Sequence, residues 1–518
     1  MASRPKFSPH ACTSNQQTQP TLSFASSTEL ASQWIPLIEC PANFPEKLFD
    51  TAVAQLIHHP EYNSTLILRS ETISDSCEFF PPLVPELDRF HKSQCIHRKL
   101  LPRRPGRDAS LEQYCTLYKA NSTSPHTVLI LTPITSEKDP LPYYHPRVSH
   151  LAFRYLPQPY SNTETPEGVI RIEVIPLPDT PLDQDSRIYR TCLALLDTLH
   201  RYGWGAMTNY QKRVMHDVLI PREHYQDLYL IMRERHKGLV DTWQEVTDPL
   251  KHVFEDIGIA TYLMLLWKIS FGNDDSNELN LSTEEPWKTW PRPPAGFVDI
   301  GCGNGLLTHI LTSEGYDGHG IDVRERTSWK SYSSSTQQRL HVYAFNPLDS
   351  PLDSSFFPTG VFVIANHADE LTPWAPVLST LHSASGYLSI PCCAWDFDAR
   401  YERSATTMFP IPPNPESGSA HTMDDFVTKL NLGGDGSNSS GYSMYRIWLA
   451  TLGVHTGWET ECDMLRIPST RNWAIIGRRA SPLVSRDEAV RNAEEIVQNV
   501  KDRAVFKPRK PEGKGDGH

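Results

Sequence analysis

Phe297-Val-Asp-Ile-Gly-Cys-Gly-Asn-Gly305 constrains this chain more than any other segment. An apolar run enters Asp299, then a turn carrying Gly301, Gly303 and Gly305, then Leu306-Leu-Thr-His-Ile, which starts a helix. Glycines let a backbone turn tightly and approach a ligand. A helix N-terminus adds free N–H groups. In an open α/β sheet, ligands sit at the carboxyl ends of the strands. The spacing excludes a dinucleotide fingerprint: counted from Gly301 its third glycine falls on Leu306, and counted from Gly303 on Thr308.

A second acid extends the pattern. Gly320-Ile-Asp322-Val-Arg puts a carboxylate at the end of the next strand, 17 residues after Gly305, where it can accept hydrogen bonds from ribose hydroxyls. Asp-x-Gly-x-Gly-x-Gly followed by such an acid resembles class I methyltransferases. That likeness implies S-adenosyl-L-methionine as cofactor, held by Asp299, Gly301, Gly303, Asn304, Gly305 and Asp322. The rival reading is a glycine-rich turn in another α/β protein, with Asp322 at the surface.

The rest of the chain divides around this motif. Its 518 residues suggest two domains or three. Residues 1–33 are rich in Ser, Thr, Gln and Pro and are expected to be disordered. Residues 34–270 read as an α+β accessory domain: a helix over 44–57, strands over 65–68, 127–132 and 168–175, then helices over 185–202, 221–237 and 254–267. A polar, Pro-rich stretch over 271–290 reads as the linker. From 291 to 480 strand and helix alternate, which predicts a doubly wound, Rossmann-like α/β sheet. Its strands are expected at 296–300, 319–323, 340–344, 361–365 and 387–390, with a hairpin of 458–467 and 473–477. Residues 481–518 read as a helix and a basic tail.

The net charge of −12 argues against a general polyanion binder. Basic clusters nonetheless stand out. Arg98, Lys99, Arg103, Arg104 and Arg107 put five positive charges in ten residues. Lys212 with Arg213, and Arg466 with Arg471 in a polar turn, are further candidates for phosphate contact. Each cluster also fits a merely solvated face. The ten cysteines are scattered without Cys-x-x-Cys, the first residues lack an apolar signal core, and the longest apolar run, Ile257 to Trp267, is too short to span a bilayer. A cytoplasmic protein with reduced thiols and no membrane anchor is the simplest expectation. Adjacent Cys392 and Cys393 are awkward zinc ligands without a Cys/His pair nearby, so no metal is expected and the two are read as packing beside the site.

Methyl transfer from a sulfonium requires alignment, and a hydroxyl acceptor must also give up its proton. The strand over 361–365 leads into Asn366-His-Ala-Asp-Glu-Leu-Thr-Pro-Trp374, which offers His367, Asp369 and Glu370 as proton acceptors. The two acids also suit the first turn of a helix.

That segment, with Tyr144-His-Pro-Arg147, Asn209-Tyr-Gln-Lys-Arg-Val-Met-His-Asp217, Phe254-Glu-Asp-Ile-Gly-Ile, Ile390-Pro-Cys-Cys and Leu465-Arg-Ile-Pro-Ser-Thr-Arg471, resembles the tRNA (uracil-2′-O)-methyltransferases of fungi and animals. The likeness implies an enzyme of tRNA processing that forms 2′-O-methyluridine at position 44 of serine tRNA. It implies tRNA as the partner and leaves any protein partner open. Some relatives carry a C-terminal Cys/His zinc finger, where this chain has a basic tail. No catalytic base carries over from the family. The alternative is a class I methyltransferase acting on another RNA, a protein or a small molecule.

Overall fold

The computed structural model describes residues 4–12, 20–25, 33–136, 140–157, 168–209, 215–272, 285–344, 346–349, 355–403, 406, 408–411, 422–432 and 440–503. Much of the expected N-terminal disorder, part of the linker, Lys212, Arg213 and the basic tail lie outside the described residues. The chain forms two compact units, Met1–Gln211 and Lys212–His518.

The first unit is an antiparallel sheet carrying two helices. Its strands are β1 (His10–Ala11), β2 (Ile35–Pro41), β3 (Ile67–Ser76), β4 (His91–Pro102), β5 (Leu111–Lys119), β6 (His126–Pro133), β7 (Val148–Pro157) and β8 (Gly168–Pro176), in the order β1-β2-β8-β7-β6-β5-β4-β3. The helices α1 (Phe49–His58) and α2 (Arg187–Met207) bury one face each: Ala52, Val53 and Leu56 of α1 and Cys192, Leu196 and Leu199 of α2 share a core with Leu129, Phe153 and Ile172 of the sheet. Residues three and four apart lie on one side of a helix, which is why each presents such a stripe.

The second unit holds α3 (Arg222–His236), α4 (Pro249–Phe271), β9 (Phe297–Ile300), α5 (Leu306–Ser313), β10 (Gly318–Asp322), α6 (Ser334–Gln337), β11 (Leu340–Val342), β12 (Phe362–Asn366), α7 (Trp374–Leu381), β13 (Gly386–Ile390), α8 (Met423–Lys429), α9 (Gly441–His455), β14 (Trp458–Met464), β15 (Trp473–Ala480) and α10 (Arg486–Arg503). The sheet order is β11-β10-β9-β12-β13-β15-β14. Strands β9 to β13 pair in parallel, and β15 runs antiparallel to both its neighbours. One core packs α3, α4 and α5 on one face, and a second packs α7, α9 and α10 on the other. The chain reverses direction across the sheet between β9 and β12, and the crevice at such a switch point is where ligands bind.

The expected boundary at 270 is corrected. Helices α3 and α4 belong to the second unit. Helix α4 is buried nearly all round from Val253 to Lys268, so it must be covered on every side. Its Trp267 stacks on Phe297 of β9 at 5.8 Å and meets Phe362 of β12 edge-on at 5.6 Å. The polar stretch read as a linker therefore joins two elements of one unit, α4 and β9, and its residues 273–284 lie outside the described residues.

Candidate active site

The glycine turn is held from both sides. The N–H groups of Gly301 and Cys302 donate to the Ile321 carbonyl, and Gly303 N–H donates to Asp322 Oδ2 at 2.9 Å. Asn304 Oδ1 accepts the N–H of Leu306, the first residue of α5, from one position before the helix N-cap Gly305. From beyond β10, Trp329 Nε1 donates to the Gly303 carbonyl and the Tyr332 hydroxyl to that of Asn304. Gly301, Gly303 and Gly305 have φ of 71°, 54° and 73°, the left-handed region that disfavours a side chain. A Cβ on Gly303 would meet nothing within 4 Å, whereas one on Gly305 would press on Leu340 and Trp329. Open space therefore lies over Gly303.

Two acids frame that space. Asp322 accepts Gly303 N–H on one oxygen and Arg324 N–H on the other, and remains slightly exposed. Asp299 is 1% exposed; Oδ2 accepts from the Thr308 hydroxyl, while Oδ1 is buried with no partner. Burial pushes the Asp299 carboxyl up to about 7, against the Thr308 hydrogen bond and with help from the nearby charge of Asp322.

Helix α4 supplies two acids that the sequence analysis did not single out. Glu255 and Asp256 are 5% and 9% exposed, one after the other, and face the last residues of β12. Glu255 Oε1 lies 3.1 Å from His367 Nε2, and Asp256 Oδ1 accepts from Asn366 Nδ2 at 3.4 Å. Burial raises the Glu255 carboxyl, but the hydrogen bond and charge of His367 outweigh it and hold it below the usual range. At Asp256 the Asn366 hydrogen bond is too weak an offset: burial, then Glu255 and Asp299, push the carboxyl well above the usual range. A cation in the crevice is the remedy these buried acids lack. The ammonium and sulfonium of S-adenosylmethionine fit that need, and Gly303 leaves room for the ligand. The signal was present in the sequence as two adjacent acids opening an otherwise apolar run.

Of the three proposed proton acceptors, His367 is the one that meets a buried acid of α4. His367 has φ of 52°, strained for a side chain with a Cβ. Its N–H donates to the Ile390 carbonyl, and its Nδ1 is buried without a partner. A nitrogen facing a carboxylate carries the ring proton, which leaves Nδ1 as the acceptor. Asp369 instead accepts the Cys392 thiol at 3.3 Å, and Glu370 sits part-buried in the short turn Asp369–Leu371. Asp369, Cys392 and Cys393 bring three ligand atoms within 4.8 Å of one another. Burial and Asp369 push the Cys392 thiol up, the reverse of what a thiolate ligand needs.

The basic residues divide. Arg98 is not a surface cation: it is 3% exposed on β4 and donates to Gln113 and to the carbonyls of Leu56 and Ile57. A β-strand alternates its faces, and the register turns Arg98 inward. Lys99 is part-buried, and Arg103, Arg104 and Arg107 are exposed. Arg466 is held by Asp217 through two bonds of 2.7 and 2.5 Å. Arg471 lies 3.8 Å over the ring of Tyr442, whose hydroxyl donates to the Pro391 carbonyl beside Cys392. No helix among the described residues is long and apolar enough to cross a membrane.

Comparison with known proteins agrees with this geometry. A family model described as "TRM44-like, N-terminal bet v1-like domain" matches residues 8–213, and one described as "Predicted AdoMet-dependent methyltransferase" matches 219–282 and 285–347. A protein of Schizosaccharomyces pombe named tRNA (uracil-O(2)-)-methyltransferase is 32% identical, over 86% of this chain and 85% of its own. Proteins of the same name from Neurospora crassa and Candida glabrata are 31% and 29% identical, over 93% and 89% of this chain and 93% and 92% of theirs. No solved structure matches. The chain belongs to the tRNA (uracil-O(2)-)-methyltransferase family, and its second unit is an S-adenosylmethionine-dependent methyltransferase.

Proposed function

We propose that this enzyme methylates the ribose 2′-hydroxyl of a uridine in tRNA, that the uridine is position 44 of serine tRNA, and that it does so in the cytoplasm. The observation that carries the chemistry is the pairing of a glycine turn after β9 with His367 after β12, on neighbouring strands. The ten cysteines, all unpaired, suit a reducing compartment.

S-adenosylmethionine, when bound, supplies a methyl group on a sulfonium. The residues proposed to hold it are Asp299, Gly301, Gly303, Asn304, Gly305 and Asp322. Asp299 and Asp256 offer negative charge to its cationic end, and Asp322 offers acceptors to its ribose hydroxyls. With the cofactor bound, His367 would take the 2′-hydroxyl proton at Nδ1 as the oxygen bonds to the methyl carbon and the methyl–sulfur bond breaks, its electron pair returning to a neutral thioether; Glu255 would fix the ring by holding Nε2–H. Asp369 and Glu370 then shape the turn beneath the acceptor. A 2′-hydroxyl is reached most easily where the ribose lies in an irregular or single-stranded region. The exposed Arg103, Arg104 and Arg107, with Lys99 and Arg471, are proposed to meet phosphates, as are Lys212 and Arg213.

The test is methyl transfer from labelled S-adenosylmethionine to total tRNA lacking the modification, followed by nucleoside analysis and mapping. 2′-O-methyluridine at position 44 of serine tRNA supports the whole reading. 2′-O-methyluridine elsewhere removes the site assignment and keeps the chemistry. Binding of the cofactor with no tRNA product removes both.

A further inference from the structure

A cavity of about 510 Å³ opens between α2 and the sheet of the first unit. It is large enough for a mononucleotide, within the range of about 300–1,000 Å³ common to small-ligand sites. Its floor is polar. Arg98 spends all but one of its N–H groups on Gln113 and the Leu56 and Ile57 carbonyls. Gln113 in turn donates to His145 Nε2, and His145 Nδ1 donates to the Pro146 carbonyl. That leaves His145 a neutral ring, and burial lowers it to about 4.

The charge in this cavity is one-sided. Arg98, Arg187 and Arg190 line it, and its described lining holds no Asp or Glu, in a chain with 61 acids against 49 Lys and Arg. None of the three arginines has a carboxylate partner among the described residues. Four other arginines of the unit are matched, Arg69 by Glu71, Arg154 by Glu173, Arg171 by Glu39 and Arg201 by Asp197, whereas the exposed Arg103 and Arg147 meet only backbone carbonyls among the described residues. Arg98 is buried, Arg187 part-buried and Arg190 exposed. Guanidinium groups gathered at one cavity without a counter-charge favour an anion there. At the mouth, Tyr143 is 69% exposed, and the Arg187 guanidinium lies 3.8 Å over its ring. Arg103 flanks the same mouth, its Nε donating to the carbonyl of the lining residue Ile67.

We propose that this cavity is a nucleotide site that takes an unpaired nucleotide of the tRNA substrate. Arg187 and Arg190 meet the phosphate, Arg98 supplies the field at the floor, and the base stacks on Tyr143, whose ring accepts any base. The anion follows from the arginines alone; the tRNA as its source rests on the reading under Proposed function. The unit thereby grips an extruded nucleotide at a point separate from the reacting ribose.

The experiment uses the full chain. Affinity for tRNA is measured at several salt concentrations for the wild type, for Tyr143→Ala, and for Arg187→Glu with Arg190→Glu. Arg89→Glu with Lys119→Glu applies the same charge change elsewhere on the unit. S-adenosylmethionine affinity reports folding of the second unit, and circular dichroism with the melting transition of the full chain reports folding of the first. The expected result is a loss of roughly ten-fold for each pocket variant, and a salt slope lower by about two for the charge reversal. The control and the cofactor affinity stay within about two-fold. Equal losses from pocket and control variants make this a general field effect and overturn the site. Unchanged tRNA affinity also overturns it; if uridine 5′-monophosphate then still raises the wild-type melting temperature, the cavity serves a free nucleotide instead. A wild type that binds no tRNA at all refutes the tRNA reading before any variant is compared, and this assignment with it.

Discussion

Glu255 Oε1 and His367 Nε2 lie 3.1 Å apart, across the gap between α4 and the end of β12. The contact joins a buried acid to a histidine whose other nitrogen is buried without a partner. Under the proposed mechanism it fixes the tautomer and would stabilise the imidazolium formed when the proton is taken. Glu255→Gln keeps the size and removes the charge. We expect kcat to fall about 10²- to 10⁴-fold with S-adenosylmethionine affinity unchanged. Glu255→Asp should recover part of the loss, because a carboxylate again faces Nε2. A loss that Glu255→Asp does not relieve, with a lowered melting temperature, would leave Glu255 a structural residue.

Asp299 makes a prediction about stability. Its carboxyl is raised from 3.8 to about 7 in the folded chain. A raised group favours the folded state below its unfolded value, and that advantage is lost as pH climbs through the folded value. The cofactor-free protein should therefore lose stability between about pH 4 and pH 7, by at most about 4 kcal/mol from this group. Asp299→Asn should flatten that slope while weakening S-adenosylmethionine binding. Melting curves of both proteins across this range decide it, and parallel slopes would discard the assignment.

Much of the methyltransferase unit was legible because its signals are local. The strand, three glycines and Leu306–Ser313 follow from a periodicity change inside one short segment, and the structure starts α5 at the expected residue. The hairpin of β14 and β15 was equally plain, since two β-rich runs flank a turn. The domain boundary was not legible. A Pro-rich polar stretch marks a break in regular structure, and only the all-round burial of α4 reveals on which side its partners lie. The burial of Arg98 was illegible for a related reason: charge is read along the sequence, but exposure is set by strand register. The Glu255–His367 pair was out of reach because 112 residues separate its members.

The glycines at 303 and 305 share a left-handed backbone but not their surroundings. Alanine at either position costs about 1–2 kcal/mol of strain. At 305 the new Cβ also meets Leu340 at 2.8 Å and Trp329 at 3.1 Å, so stability should fall by about 2–4 kcal/mol. At 303 the methyl enters open space, and the larger effect should be on cofactor affinity. Denaturant unfolding alongside cofactor titration separates them. Equal cofactor binding by Gly303→Ala and the wild type would move the ligand away from this turn.

Asp322 orders the turn through Gly303 N–H and Arg324 N–H, and under the proposed function it also offers acceptors to the ribose, so its removal should show twice. For Asp322→Ala we expect about 1–2 kcal/mol less stability, from the unpaired N–H groups, in a chain that still folds. Cofactor affinity should fall about 10- to 100-fold, measured by titration calorimetry. Intact affinity would refute the ribose assignment.

Arg103 and Arg104 stand exposed at the turn after β4, and only Arg103 is tied down, through Nε to the Ile67 carbonyl. Mobile surface cations contribute to phosphate binding by releasing counterions, so their effect depends steeply on salt and little on sequence. Reversing both charges should weaken tRNA binding and lower the slope of log affinity against log salt by about two. Because neither side chain supports the core, melting temperature and S-adenosylmethionine affinity should not change. The loss should shrink as salt rises, since screening already removes most of what the arginines add. Binding curves that overlay the wild type at every salt concentration would take this turn out of the tRNA surface.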